Sequence, residues 1–199
     1  MNRLIFDTET NGLPVCPCFG VFPVYADTVK YDDARIVQVS YIITDTFYNK
    51  LEESDTVIKT DNFSITNHQF HGITEEISET SGIPFVEFAQ QFSNALDNIG
   101  VLMAHNIDFD FNVLCAEFHR YGLTEIIAKF QSKQQICTMK RYKTLVGARF
   151  RSGNGIKLPN LKELYSFATG GEEMENHHNS MYDTLNLWKS IKLIESAKK

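Results

Sequence analysis

Phe6-Asp7-Thr8-Glu9-Thr10-Asn11-Gly12-Leu13-Pro14 places two carboxylates one residue apart at the end of a short apolar run, Leu4-Ile5-Phe6. The run predicts a strand entering a core, and Asn11-Gly12 predicts a turn that folds a second strand back beside it. Residues i and i+2 of a strand share a face, so Asp7 and Glu9 point the same way. Two carboxylates held that close disfavour each other's ionisation unless a cation sits between them. Taken alone, the string fits an exposed acidic turn better, because carboxylates mostly face solvent. Carboxylates elsewhere in the chain decide between the two.

The 199 residues are 43% hydrophobic and 12% aromatic, which suits one domain, residues 1–199, with a sizeable core. Met1-Asn2-Arg3 leads straight into the strand-like run, and no apolar stretch approaches membrane-spanning length. An intracellular, soluble protein, cytoplasmic or nuclear and without membrane association, is expected. The formal net charge of −6 argues against coating nucleic acid through bulk charge, though not against binding it locally. The charge is unevenly spread: residues 126–162 contain no Asp or Glu but carry Lys129, Lys133, Lys140, Arg141, Lys143, Arg149, Arg151, Lys157 and Lys162. Cys16, Cys18, Cys115 and Cys137 are too few and too irregular for a disulfide scaffold. Cys16-Pro17-Cys18 is half a zinc site at most, because no second ligand pair stands at a typical spacing, so free thiols are expected.

Residues 15–33 show no clear period and read as an irregular insertion. Arg35 to Thr44 is rich in β-branched residues and predicts a well-buried strand, paired through a polar turn near Asn49-Lys50 with a second strand around residues 56–59. Pro84 opens a helix with Phe85, Phe88, Ala89, Phe92, Ala95, Leu96 and Ile99 at helical spacing, stopped by Gly100. Residues 101–104 then predict a short buried strand, followed by a helix with Phe111, Leu114, Cys115 and Phe118 on one side, ending near Gly122. Residues 136–139 suggest another strand, with a helix behind it through Leu145 and a flexible basic loop at residues 147–155. Asn160, three residues before Glu163, predicts a capping box on a helix over residues 161–168. The last helix starts near Asn179 or Ser180, with Leu185, Trp188, Ile191 and Ile194 on its buried side. Strands alternating with helices indicate an α/β fold.

Two more carboxylates stand near helix starts: Asp110 after Ala104-His105-Asn106, and Asp183 after His178. Together, Phe6-Asp7-Thr8-Glu9-Thr10-x-Gly12-Leu13-Pro14, Ala104-His105-Asn106-x-x-Phe109-Asp110 and His178-Asn179-x-x-x-Asp183 resemble the three motifs of the DEDDh, or DnaQ-like, family of 3′→5′ exonucleases. His71-Gly72-Ile73-Thr74 resembles the run found between the family's first two motifs. Each string is weak alone, whereas three in order and at family-like separations are specific. Asn179 stands where the Tyr-based sister branch would need its tyrosine, so the His branch fits. The insertion at residues 15–33 and the additional His177 are the main departures.

The resemblance implies an RNase H-like fold, a central mixed β-sheet flanked by helices. It also implies hydrolysis of phosphodiester bonds at the 3′ end of single-stranded or frayed DNA or RNA, releasing nucleoside 5′-monophosphates. Two Mg²⁺ or Mn²⁺ ions are the implied cofactors, since hard cations suit carboxylate and water ligands. Two such ions about 3.5 to 4 Å apart can hold the attacking and leaving oxygens of an in-line displacement. By resemblance, Asp7, Glu9 and Asp183 hold one ion, Asp7 bridges to the second, and Asp110 completes that site largely through water. His178, with an ordinary pKa near 6.5, would take the proton of the attacking water. Thr10 and Asn106 would meet the terminal nucleotide. Leu13 is either a core residue or a wedge against the last base. Arg149, Arg151 and Lys157 suit phosphate tracking. A polymerase, or a replication or repair protein, would be the natural partner.

Readings from other classes fit less well. A phosphatase with an Asp nucleophile wants a second Asp where Glu9 stands, and an aspartic protease wants Gly there and a repeat of the motif. A non-catalytic nucleic-acid-binding or polymerase-associated module would have lost a carboxylate, and none is missing.

Overall fold

The computed structural model describes residues 1–18, 20–175 and 179–197. Its elements run β1 (Asn2–Thr10), β2 (Ile36–Thr44), β3 (Lys50–Val57), α1 (His68–His71), α2 (Glu75–Ser81), α3 (Phe85–Ala95), β4 (Ile99–Ala104), α4 (Ile107–Arg120), α5 (Thr124–Gln131), β5 (Gln134–Cys137), α6 (Thr138–Val146), α7 (Leu161–Thr169) and α8 (Ser180–Ser196). The five strands form one mixed sheet in the order β3-β2-β1-β4-β5. β1 is antiparallel to β2 and parallel to β4, and β5 extends the parallel half. This is the expected RNase H-like α/β architecture.

Strand alternation divides the core in two. Leu4 and Phe6 lie in a cluster with Phe88 and Phe92 of α3, Leu114 and Phe118 of α4 and Phe130 of α5. Ile5, on the other face, packs with Met103, Leu164 of α7, and Leu187, Ile191 and Ile194 of α8. Every residue of β2 is buried, because both faces of that strand are covered. Helices therefore sandwich the sheet, and the C-terminal end of β1 emerges between the two layers.

Several expectations change in detail. Asn11-Gly12 makes no hairpin; β2 returns only after residues 15–33. A Cβ on Gly12 would meet the Asp33 carbonyl oxygen at 2.8 Å, so the glycine serves a close approach of that returning chain. The insertion is irregular but tied down: Val15 N donates to Lys30 O, Tyr31 Oη to Pro23 O and Arg120 Nη2 to Thr28 O. β3 begins at Lys50, six residues before the sequence suggested, because its outward residues are charged and hide the period. Gly100 lies inside β4, the helix before it having ended at Ala95 in a 3₁₀ turn. On α8 the buried face carries Leu187, not Leu185, and buries Ser180, Thr184 and Ser190 as well. Those hydroxyls break the apolar stripe from which the face was read.

One buried ion pair joins the layers. Arg35, just before β2, donates from Nε and Nη2 to Glu117 of α4 at 2.8–3.1 Å, and its guanidinium lies 4.5 Å from the centre of the Phe63 ring. Burial raises the Glu117 pKa and Arg35 opposes that rise. Removing one partner of such a pair costs about 3–5 kcal/mol, because the other charge stays buried and unpaired. Glu117→Ala should therefore lower the unfolding free energy in urea by that order, while Arg35→Met/Glu117→Leu should recover most of the loss.

Candidate active site

Asp7 and Glu9 sit on the odd-numbered face of β1, opposite Ser40 and Gln38 of β2. That face is covered by α8, whose first turn carries Asp183. Ligand oxygens of Asp7, Glu9 and Asp183 lie within 4.8 Å of one another. Asp110, on the first turn of α4, approaches from the opposite layer: its Oδ1 accepts from Thr8 N at 3.0 Å and Thr8 Oγ1 at 2.8 Å. The strand's alternation thus sends Asp7 and Glu9 toward one helix and Thr8 toward the other, and all four carboxylates meet where the strand ends.

No cation compensates this cluster among the described side chains except at long range. Burial is the largest cause of a raised pKa at each carboxyl: Asp7 goes well above its ordinary value, Glu9 to about 7, Asp110 to about 7 and Asp183 to about 6. Repulsion from Asp110, Glu9 and Asp183 adds to the rise at Asp7, and the exposed Lys162 lowers Asp183 somewhat. Asp183 Oδ1 is buried without a hydrogen-bond partner among the described residues. An orphaned carboxylate oxygen beside two more carboxylates is the donor set of a hard divalent cation, so the residues fit such an ion.

Hydrogen bonds hold the cluster's supports. Gln38 and Ser40 are polar yet fully buried in β2, and they reach the start of α8. Ser40 Oγ lies 2.5 Å from Ser180 Oγ, and Gln38 Oε1 accepts from Ser180 N at 3.3 Å and Asn179 Nδ2 at 3.4 Å. Asp55 Oδ1 of β3 accepts from both Gln38 Nε2 and Ser40 Oγ at 2.7 Å. Asn179 itself caps α8 by accepting from Tyr182 N. On the other side, His105 Nε2 donates to Pro159 O at 3.0 Å and Nδ1 lies 2.9 Å from Thr138 Oγ1. Burial lowers the His105 pKa to about 4, so this histidine is a neutral bolt between β4, α6 and the entry to α7.

Beside the acids opens a cleft of about 640 Å³ lined by Glu9, Thr10, Leu13, Asn67, Phe70 and Phe109 among others. Leu13 is 72% and Phe70 61% exposed, so Leu13 is a rim residue and not core. Phe70 escapes the sequence reading, and Asn11 is read there only as a turn residue. Asn11 pins the segment before α1 by accepting from Thr66 N and donating to Ser64 O, and Phe70 of α1 lines the same cleft as Leu13. The quoted His71-Gly72-Ile73-Thr74 run is the signal that marked this segment. Thr10 Oγ1 donates to Gly12 O at 2.7 Å, and Asn106, exposed with φ 75°, stands at the β4–α4 junction.

Arg149 and Arg151 are exposed, whereas Lys157 Nζ is held 2.7 Å from Glu163 of the α7 capping box. His178 and the neighbouring His177 lie outside the described residues. All four cysteines are free thiols. No helix among the described residues is long and apolar enough to cross a membrane.

An RNase H-like sheet with four carboxylates at the end of its first strand defines a class of phosphodiester-cleaving enzymes. The exonuclease family model designated RNase T matches residues 4–190. The chain belongs to that exonuclease family, as its DEDDh-type motifs imply, and the phosphatase and protease alternatives fall away. Its fold is similar to that of Escherichia coli exonuclease I in complex with single-stranded DNA and zinc, at 18% identity and a TM-score of 0.70, covering 99% of this chain and 41% of that one. The same enzyme with a dT13 oligonucleotide gives 18% and 0.71 over 98% and 41%, and with a dA16 oligonucleotide 15% and 0.70 over 98% and 41%. The chain thus spans about two fifths of the length of those structures. No curated protein matches the chain. Nothing in these likenesses supports a polymerase partner.

The raised carboxyl pKa values have a consequence for stability. A group whose pKa is higher folded than unfolded favours the folded state below about pH 4 and loses that contribution as pH rises through its folded value. In chelator, the thermal midpoint should therefore fall between about pH 4 and pH 7, the span set by Glu9, Asp110 and Asp183. Mg²⁺ or Mn²⁺ should flatten this slope. Asp7→Asn should raise the metal-free midpoint at pH 7.5 by about 3 °C or more, the shift that ~1 kcal/mol produces in a chain of this size. Differential scanning calorimetry across pH checks both; a flat profile in chelator would contradict the assigned electrostatics.

Proposed function

We propose that residues 1–199 form a single exonuclease domain that hydrolyses nucleic acid from the 3′ end, releasing nucleoside 5′-monophosphates with two bound Mg²⁺ or Mn²⁺ ions. The observation that carries this reading is the convergence of Asp7, Glu9, Asp110 and Asp183 at the mouth of a cleft with an apolar rim. Asp7, Glu9 and Asp183 would hold one ion, and Asp7 with Asp110 the other. Bound there, the ions supply neutralisation of charge developing on the phosphodiester and a water of lowered pKa.

The chain's own groups do the rest. Thr8 fixes the Asp110 carboxylate through two hydrogen bonds to one oxygen, leaving the other oxygen to face the site. The side chain of His178, five positions before Asp183, takes the proton of the attacking water. Leu13 and Phe70, which both line the cleft, grip the last base, and Thr10 and Asn106 meet the terminal nucleotide. A cleft that accepts one terminal nucleotide requires a single-stranded or frayed end. The solved structures with dT13 and dA16 support single-stranded DNA as the first substrate to test.

The test is an oligothymidylate labelled at either end. Mononucleotides should be released from the 3′ end in Mg²⁺ or Mn²⁺ and not in chelator. Asp7→Ala should abolish release without lowering thermal stability. His178→Ala should slow it by roughly 100-fold or more with Mn²⁺ affinity retained, the range for loss of a general base. If His177→Ala is the damaging change instead, the base is misassigned. Intact oligonucleotide with both ions supplied leaves the non-catalytic binding module as the reading.

A further inference from the structure

The acid-free stretch expected to be a flexible loop is a folded hairpin. Lys157 N donates to Ala148 O at 2.8 Å, and Arg149 and Ile156 form an antiparallel bridge. Gly153 N closes the tip onto Phe150 O at 2.8 Å, and Gly153 and Gly155 take positive φ values of 77° and 81°, a conformation that only glycine adopts at no steric cost. The hairpin's outgoing arm carries Arg149-Phe150-Arg151. Phe150 is 52% exposed, and neither arginine has a carboxylate partner among the described residues.

Its root is tied to elements that neighbour those carrying the acids. Lys157 is tied to Glu163 on the first turn of α7, and Pro159 O accepts from His105, which directly precedes Asn106 and the helix of Asp110. α7 in turn packs on α8, the helix of Asp183, and Lys162 at the start of α7 acts electrostatically on that carboxylate. An arm bearing an exposed aromatic ring between two guanidinium groups that have no carboxylate partner among the described residues is therefore joined at its root to the elements that flank the acidic site. Aromatic rings stack on any base, and flanking arginines pair with backbone phosphates, so this arrangement matches a single strand independently of its sequence.

We infer that the 148–157 hairpin is a second nucleic-acid contact, in which Phe150 stacks on a base 5′ of the terminal nucleotide while Arg149 and Arg151 pair with the phosphates beside it. The inference rests on the exonuclease reading for the position of the strand, and it deepens that reading by adding a subsite upstream of the cleaved bond. It explains how a chain of net charge −6 can hold a polyanion: the contact is local and positive where the bulk is negative.

Binding separates this contact from catalysis. Fluorescence anisotropy with 5′-labelled dT15 in chelator should show Phe150→Ala weakening binding about 10-fold, with Phe150→Trp restoring it. On an abasic tract of equal length, which keeps the phosphates and loses the bases, wild type and Phe150→Ala should bind alike. Arg149→Ala/Arg151→Ala should reduce the slope of log Kd against log salt by about 0.7 per arginine, the value for single strands. With Mg²⁺ supplied, Phe150→Ala should raise the KM for dT15 about 10-fold relative to that for the p-nitrophenyl ester of thymidine 5′-monophosphate, which reaches only the cleft. Equal dT15 affinity for wild type and Phe150→Ala, or an equal loss on the abasic tract, overturns the inference. Failure of the wild type to cleave either substrate overturns the exonuclease reading while the binding measurements still decide on the hairpin.

Discussion

Four carboxylates gathered at the end of one strand repel one another, and the surrounding structure is arranged to hold them there regardless. Their pKa values are raised chiefly by burial, with mutual repulsion adding at Asp7 and Glu9. A flexible framework would relieve that strain by letting the side chains swing apart into water. Here β1 is the central strand of the sheet, its neighbours are fixed by register on both sides, and its Asp7 and Glu9 have no freedom to retreat. The metal-free site is therefore a stored electrostatic cost, which binding of a divalent cation would release.

Holding the other two carboxylates takes a different device on each face. Asp110 is clasped directly by the backbone and side chain of Thr8, so α4 and β1 are coupled at the reacting end. Asp183 Oδ1 has no such bond among the described residues; its helix is positioned instead by Ser180 and Asn179, which engage Gln38 and Ser40 one strand away. The β3 carboxylate of Asp55 completes that chain by accepting from both Gln38 and Ser40. Buried polar groups in an otherwise apolar strand are costly unless satisfied, and here their satisfaction sets the entry of the helix that carries the third motif.

Those same polar groups mark the limit of what the sequence made legible. The first strand, the phenylalanine stripe of α3, the capping box at Asn160 and the four acidic positions were readable, because each rests on local periodicity or on short motifs. The partner of β1 was misplaced, because Asn11-Gly12 is a good local turn signal and only the tertiary approach of Asp33 to Gly12 reveals another use for it. The face of α8 is legible at Trp188, Ile191 and Ile194 but not at its start, where Leu187 is buried rather than Leu185, because a rule that follows apolar residues skips Ser180, Thr184 and Ser190, which are buried for their hydroxyls. Phe70 was missed because its helix is a single turn, too short to have a period. The basic run was visible as composition, but its hairpin depends on two glycines whose φ values a sequence does not state.

The placement of charge over the whole surface follows from the same constraint. An acidic centre repels the phosphates of its own substrate until cations arrive, so attraction for the strand must come from elsewhere. Lys140 and Lys157 are spent on Asp108 and Glu163, and Arg141 on Glu195. Among the described residues Arg149 and Arg151 have no carboxylate partner, and they stand on an arm whose root is tied to Glu163 of α7 and to His105 just ahead of α4. Under the proposed function, drawing the strand to a separate basic arm would leave the acids free to take metal. The cleft would then have to recognise only the last nucleotide, and the exposed Leu13 and Phe70 that line it would do so through the base's apolar faces, where neither the acids' charge nor the sugar's identity would decide the grip.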